Sequence, residues 1–63
     1  MDNFKFKMGD VVEIIISSET GIVRGRAEYD DSANSYYVEY EAKDGRGVEK
    51  WWRERSLYKV NKI

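Results

Sequence analysis

YYVEYEAKDGRGVEKWW, residues 36–52, holds two runs of alternating residues on either side of an Asp-Gly pair. Tyr36, Val38 and Tyr40 fall on one side of the first run, and Tyr37, Glu39 and Glu41 on the other. That is the two-residue period of a strand, not the 3.6-residue period of a helix. Asp44-Gly45 between two such runs signals a hairpin, so YYVEYEA and GVEKWW are expected as antiparallel neighbours.

The same reading extends in both directions. Upstream, VVEIIIS (11–17) sets Val12, Ile14 and Ile16 against Val11, Glu13 and Ile15. SSET supplies turn chemistry, and GIVRGRAEY (21–29) then sets Val23, Gly25, Ala27 and Tyr29 against Ile22, Arg24, Arg26 and Glu28. Gly25 inside this run marks a bend. KMGD (7–10) is an opening turn, RERSL (53–57) is long enough for one 3₁₀ turn only, and YKVNKI (58–63) is a last short strand. The expected fold is all-β: a small five-stranded SH3-like barrel with a 3₁₀ turn before the last strand. It forms a single domain over residues 1–63, with residues 1–6 a flexible N-terminal arm.

Composition narrows the chemistry. The 63 residues include no cysteine and no histidine, so neither a disulfide nor a thiolate or imidazole metal site can staple the fold. Two Trp, five Tyr and two Phe must supply a dense core, aided by association with further copies. Without histidine there is no conventional Ser-His or Cys-His nucleophile, no pair of carboxylates is singled out for acid–base work, and no catalytic residue is assigned. DGRG and GIVRG match no phosphate-binding loop. Asp30, Ser32, Asn34 and Glu41 have the spacing of a calcium loop, but Ser35 stands where its glycine is required and a strand pattern follows, so no metal site is read there. No cofactor is called for.

No apolar run approaches the ~20 residues of a membrane span, and MDNFKFK lacks the apolar core of a secretory signal, so a cytoplasmic protein that makes no membrane contact is expected. The net charge of −1 creates no global field for nucleic acid. Six acids nevertheless crowd residues 28–45 and six bases residues 46–63, and cross-strand pairing between the two segments is the expected use.

Two features point to interaction. Val11 and Ile15 make the second face of the first strand apolar, which suggests contact with another copy. Trp51 and Trp52 are neighbours on a strand and must point to opposite faces. The outward indole, with Glu49, Lys50, Arg53 and Tyr37 around it, forms a candidate binding surface, because tryptophan and arginine concentrate interface energy.

FKMGDVV, GIVRG, YYVEYEA, Leu57 and Val60-Asn61 together resemble the plasmid-borne type B dihydrofolate reductases, across residues 4–61. YYVEYEA begins eleven residues beyond Gly25, the spacing on which the resemblance chiefly rests. The resemblance implies an SH3-like barrel that assembles as a homo-oligomer and, as an alternative function, NADPH-dependent reduction of dihydrofolate in a shared pore. The family's Val-Gln-Ile-Tyr pore motif is not retained: the matching segment is Val48-Glu49-Lys50-Trp51 or Glu49-Lys50-Trp51-Trp52. The GD-x-V opening is also similar to that of bacterial and phage SH3-like modules that bind partners without catalysis. The leading expectation is therefore a non-enzymatic binding module with an unidentified protein partner. A weak single-stranded nucleic-acid binder is a third reading, resting on stacking by the exposed aromatics.

Overall fold

A computed structural model describes residues 3–60. Five strands, β1 (Val11–Ile14), β2 (Thr20–Ala27), β3 (Ser35–Glu41), β4 (Gly47–Arg53) and β5 (Leu57–Lys59), form one antiparallel sheet in the order β4-β3-β2-β1-β5. A 3₁₀ turn, Glu54–Ser56, precedes β5. Strand β2 belongs to both halves of the sheet: Thr20–Ile22 pair with β1, while Gly21–Ala27 pair with β3. Bending β2 between these halves folds the sheet over its own inner face, and the result is the small all-β SH3-like barrel expected from the sequence.

The β3–β4 hairpin forms as its Asp-Gly signal requires. Ala42 N–H donates to Arg46 O, Gly45 N–H donates to Ala42 O, and Gly45 sits at φ 88°. This is a three-residue loop whose last residue is left-handed, a conformation that glycine adopts without a Cβ penalty. The opening turn uses the same device. Asp10 N–H donates to Lys7 O, Lys7 N–H donates to the Asp10 carboxylate, and Gly9 takes φ 88°.

The core consists of Phe6, Val12, Ile14, Val23, Tyr36, Val38 and Leu57, with Phe4, Tyr40 and Trp52 packed against it. Strand alternation accounts for Val12 with Ile14 and for Tyr36 with Val38. Three expectations need correction. First, β1 stops at Ile14, because Ser17 and Ser18 N–H turn back to Ile14 O. Ile16 therefore leaves the strand and is 84% exposed instead of facing the core.

Second, the register between β2 and β3 slips between Val23 and Gly25, a bulge at Arg24. Beyond it the faces exchange. Gly25 lies opposite Tyr37 on the outer side, and Arg26 lies opposite Tyr36 on the inner side, its guanidinium 4.2 Å from the centre of the Phe4 ring. The bend expected at Gly25 is this bulge.

Third, the N-terminal segment is packed from residue 3 onward. Phe6 is fully buried, its ring 4.9 Å from that of Tyr36 in an edge-on contact, and the Lys5 and Phe6 N–H groups donate to the Tyr36 hydroxyl. The alternation of Phe4 and Phe6 serves as a strap across the open end of the core. The last expected strand is described only through β5 and Val60; residues 61–63 of it lie outside the described residues.

Candidate functional site

Strand β4 carries the two tryptophans to opposite faces. Trp52 pairs with Tyr36 and turns inward, 6.3 Å from the Tyr40 ring, while Trp51 pairs with Tyr37 and turns outward with half of its surface exposed. The outward indole is held in place. Its ring centre lies 5.1 Å from that of Tyr37, and it reaches over Gly25, where an added Cβ would come within 3.2 Å of Tyr37 Cβ and 3.9 Å of the Trp51 ring. The bulge at Arg24 is what brings the side-chain-free residue under this pair.

Tyr37 is fixed at its other end by a hydrogen bond from its hydroxyl to Glu49 (3.0 Å). That bond to a carboxylate favours the neutral phenol and raises the Tyr37 pKa above its ordinary value. Arg24, left unpaired in the ladder at the bulge, donates to Glu39 at 2.9 Å. Arg53 follows Trp51 on the same face of β4 and is exposed.

Of the six residues expected at the site, four therefore share the outer face: Tyr37, Glu49, Trp51 and Arg53. Lys50 and Trp52 belong to the other face, where the Lys50 ammonium lies 5.1 Å from the Trp52 ring. The Trp52 indole nitrogen is buried without a hydrogen-bond partner among the described residues, a cost accepted for the apolar area that the ring contributes.

A shallow groove of about 470 Å³ is bordered by Val11, Ile22, Glu39, Tyr40 and Glu41, and neither Tyr37 nor Trp51 lines it. Val11 is half-buried here, opposite Ile22 in the ladder. Ile15 does not continue the Val11 face. It lies past the end of β1 in the turn, 52% exposed, with its N–H bonded to Ser56 O. The two residues expected to share one strand face are thus on different parts of the surface.

The expected cross-strand pairing of the acidic and basic segments gives way to other partners among the described residues. Register places Glu39 opposite Glu49, so Glu39 pairs with Arg24 on β2 and Glu49 takes the Tyr37 hydroxyl. Asp44 pairs with Arg46 within the hairpin turn, and Asp10 reaches Lys59 at 3.8 Å. Alternation already sets Arg24 with Ile22 opposite the inward Val23; what the sequence does not reveal is that the bulge carries Gly25 to the same outer side, opposite Tyr37.

No protein-family model, curated protein or solved structure matches the chain.

Proposed function

We propose that the protein is a non-enzymatic, self-associating binding module that takes a protein partner on the outer face of β3 and β4. One observation carries this reading: a half-exposed tryptophan is pinned by a tyrosine over a glycine and flanked by Arg53 and Glu49. A large ring held in one orientation meets a partner with little further entropy loss, and the charges beside it supply directed hydrogen bonds.

The same face weighs against anionic ligands. Glu39, Glu41 and Glu49 project from it, and carboxylates near a phosphate or the glutamate tail of a folate oppose binding. This counts against both the type B reductase alternative, with NADPH, and the nucleic-acid reading. Steady-state NADPH oxidation with dihydrofolate is expected to stay at the background rate, and a labelled single strand is expected to show no rise in anisotropy at low salt.

The test is selection of displayed peptides on the immobilised protein, followed by affinity measurement. Selected peptides should bind wild type and lose about ten-fold or more on Trp51→Ala, as removal of a central aromatic does. Enriched peptides that bind Trp51→Ala as well as wild type would place the binding surface elsewhere.

A further inference from the structure

The seven-residue strand β4 ends the sheet, and among the described residues no other strand pairs with its outer edge. Which groups that edge presents is fixed by the hairpin. Ala42 and Arg46 are joined by a backbone hydrogen bond at one end of the ladder, and Asn34 and Glu54 at the other. Hydrogen-bonded pairs alternate along an antiparallel ladder, so Val48, Lys50 and Trp52 direct their backbone groups to β3. The N–H and C=O groups of Gly47, Glu49, Trp51 and Arg53 consequently face outward from the sheet.

We infer that this edge pairs antiparallel with β4 of a second copy, about a two-fold axis through Trp51. The inference deepens the self-association proposed above by naming its surface and register. In this register Glu49 lies opposite the partner's Arg53, Arg53 opposite the partner's Glu49, and Trp51 opposite its own counterpart on the outer face. On the inner face Lys50 lies opposite the partner's Trp52, repeating between copies the cation–ring contact that Lys50 and Trp52 already make within one chain.

Alternative registers fail on charge or on length. An axis through Lys50 sets two ammonium groups face to face in a close, non-hydrogen-bonded pair, and an axis through Glu49 sets two carboxylates directly opposite each other in a hydrogen-bonded pair. An axis through Trp52 leaves only Trp51–Arg53 to pair before Glu54 and Arg55, which belong to the 3₁₀ turn. A central lysine on an edge strand ordinarily discourages pairing. Here Lys50 instead rejects the wrong registers and accepts the one that offers it an indole. The paired sheets place Tyr37 and Trp51 of both copies in one continuous row on the outer face, so the proposed docking surface doubles in width.

Charge reversal tests this register directly. Sedimentation equilibrium over the attainable concentration range should show a dimer for wild type. Arg53→Glu alone and Glu49→Arg alone should each weaken it by roughly ten-fold or more, since each sets like charges opposite one another twice per dimer. The double variant Glu49→Arg/Arg53→Glu restores both pairs and should restore the dimer. Circular dichroism of each variant confirms that the strands persist, and Arg53, being exposed, can be reversed without disturbing the core. A monomeric wild type overturns both this inference and the self-association reading. A dimer indifferent to the single reversals, or not rescued by the double one, overturns the β4 register and leaves self-association through another surface.

Discussion

The two adjacent tryptophans differ in what they do for stability, and this separates binding from folding. Trp52 fills the inner face beside Tyr40, so Trp52→Ala should cost about 3 kcal/mol, at the low end for a large aromatic because the ring is only partly buried. Trp51→Ala forfeits chiefly the ring contact with Tyr37, about 1 kcal/mol. Urea unfolding of the two variants should give midpoints in that order, and equal losses would contradict the opposite-face placement. Adjacent strand positions made this division legible from the sequence, but not which indole faces inward. That choice follows from the pairing of Trp52 with Tyr36, whose hydroxyl is anchored inside the barrel.

Gly21 shows the limit of residue-level reading. In sequence it is a glycine at the start of a strand, indistinguishable from a turn residue. In the folded chain an added Cβ would sit 2.5 Å from Glu39 O, 2.6 Å from Val38 Cγ1 and 2.8 Å from Tyr40 Cβ, on the strand that pairs with β2. Gly21→Ala must therefore move backbone, and a loss of about 1–3 kcal/mol is expected in the same urea assay. An unchanged midpoint would mean that the strands separate without cost.

At the scale of elements, the features read most accurately were those encoded by local chemistry. The Asp44-Gly45 hairpin and the short 3₁₀ turn follow from residues that allow few alternatives. Gly45→Ala places a Cβ at φ 88° and should cost about 1 kcal/mol, measurable by thermal unfolding. Elements whose limits are set by tertiary contact were read less well. The three consecutive isoleucines suggested a longer β1, yet the serine-rich turn claims Ile14 O and bends the chain one residue later. Two phenylalanines one residue apart, Phe4 and Phe6, are too short a pattern to mark the N-terminal strap as an element. Their importance comes from the hole they cover. Phe6→Ala should cost about 3–4 kcal/mol, comparable with the loss of a central core residue, whereas a dispensable arm would show no change.

For the molecule as a whole, stability draws on a polar junction at the Tyr36 hydroxyl. The Tyr36 hydroxyl accepts hydrogen bonds from Lys5 N–H (2.9 Å) and Phe6 N–H (3.4 Å) and donates to Glu54 (2.5 Å), tying the N-terminal strap, β3 and the 3₁₀ turn together. Burial raises the Tyr36 pKa above its ordinary value of 10.0, and the hydrogen bond to the Glu54 carboxylate adds to the rise, while the two N–H donors partly oppose it. The neutral phenol is thus the form that the fold favours. With the folded pKa above the unfolded one, this contribution is fully present below pH 10.0 and is lost as pH climbs through the folded value. Urea midpoints should accordingly hold level as pH approaches 10 and fall above it. Tyr58 and Tyr37, bonded to Glu13 and Glu49, shift in the same direction from the exposed surface. Tyr36→Phe separates the buried junction from these. It should lower stability near neutral pH by about 1–3 kcal/mol, because two N–H groups and a carboxylate lose their common partner, and it should also flatten the alkaline decline. An alkaline decline as steep in Tyr36→Phe as in wild type would assign the titration to the surface tyrosines and remove the junction from its central place.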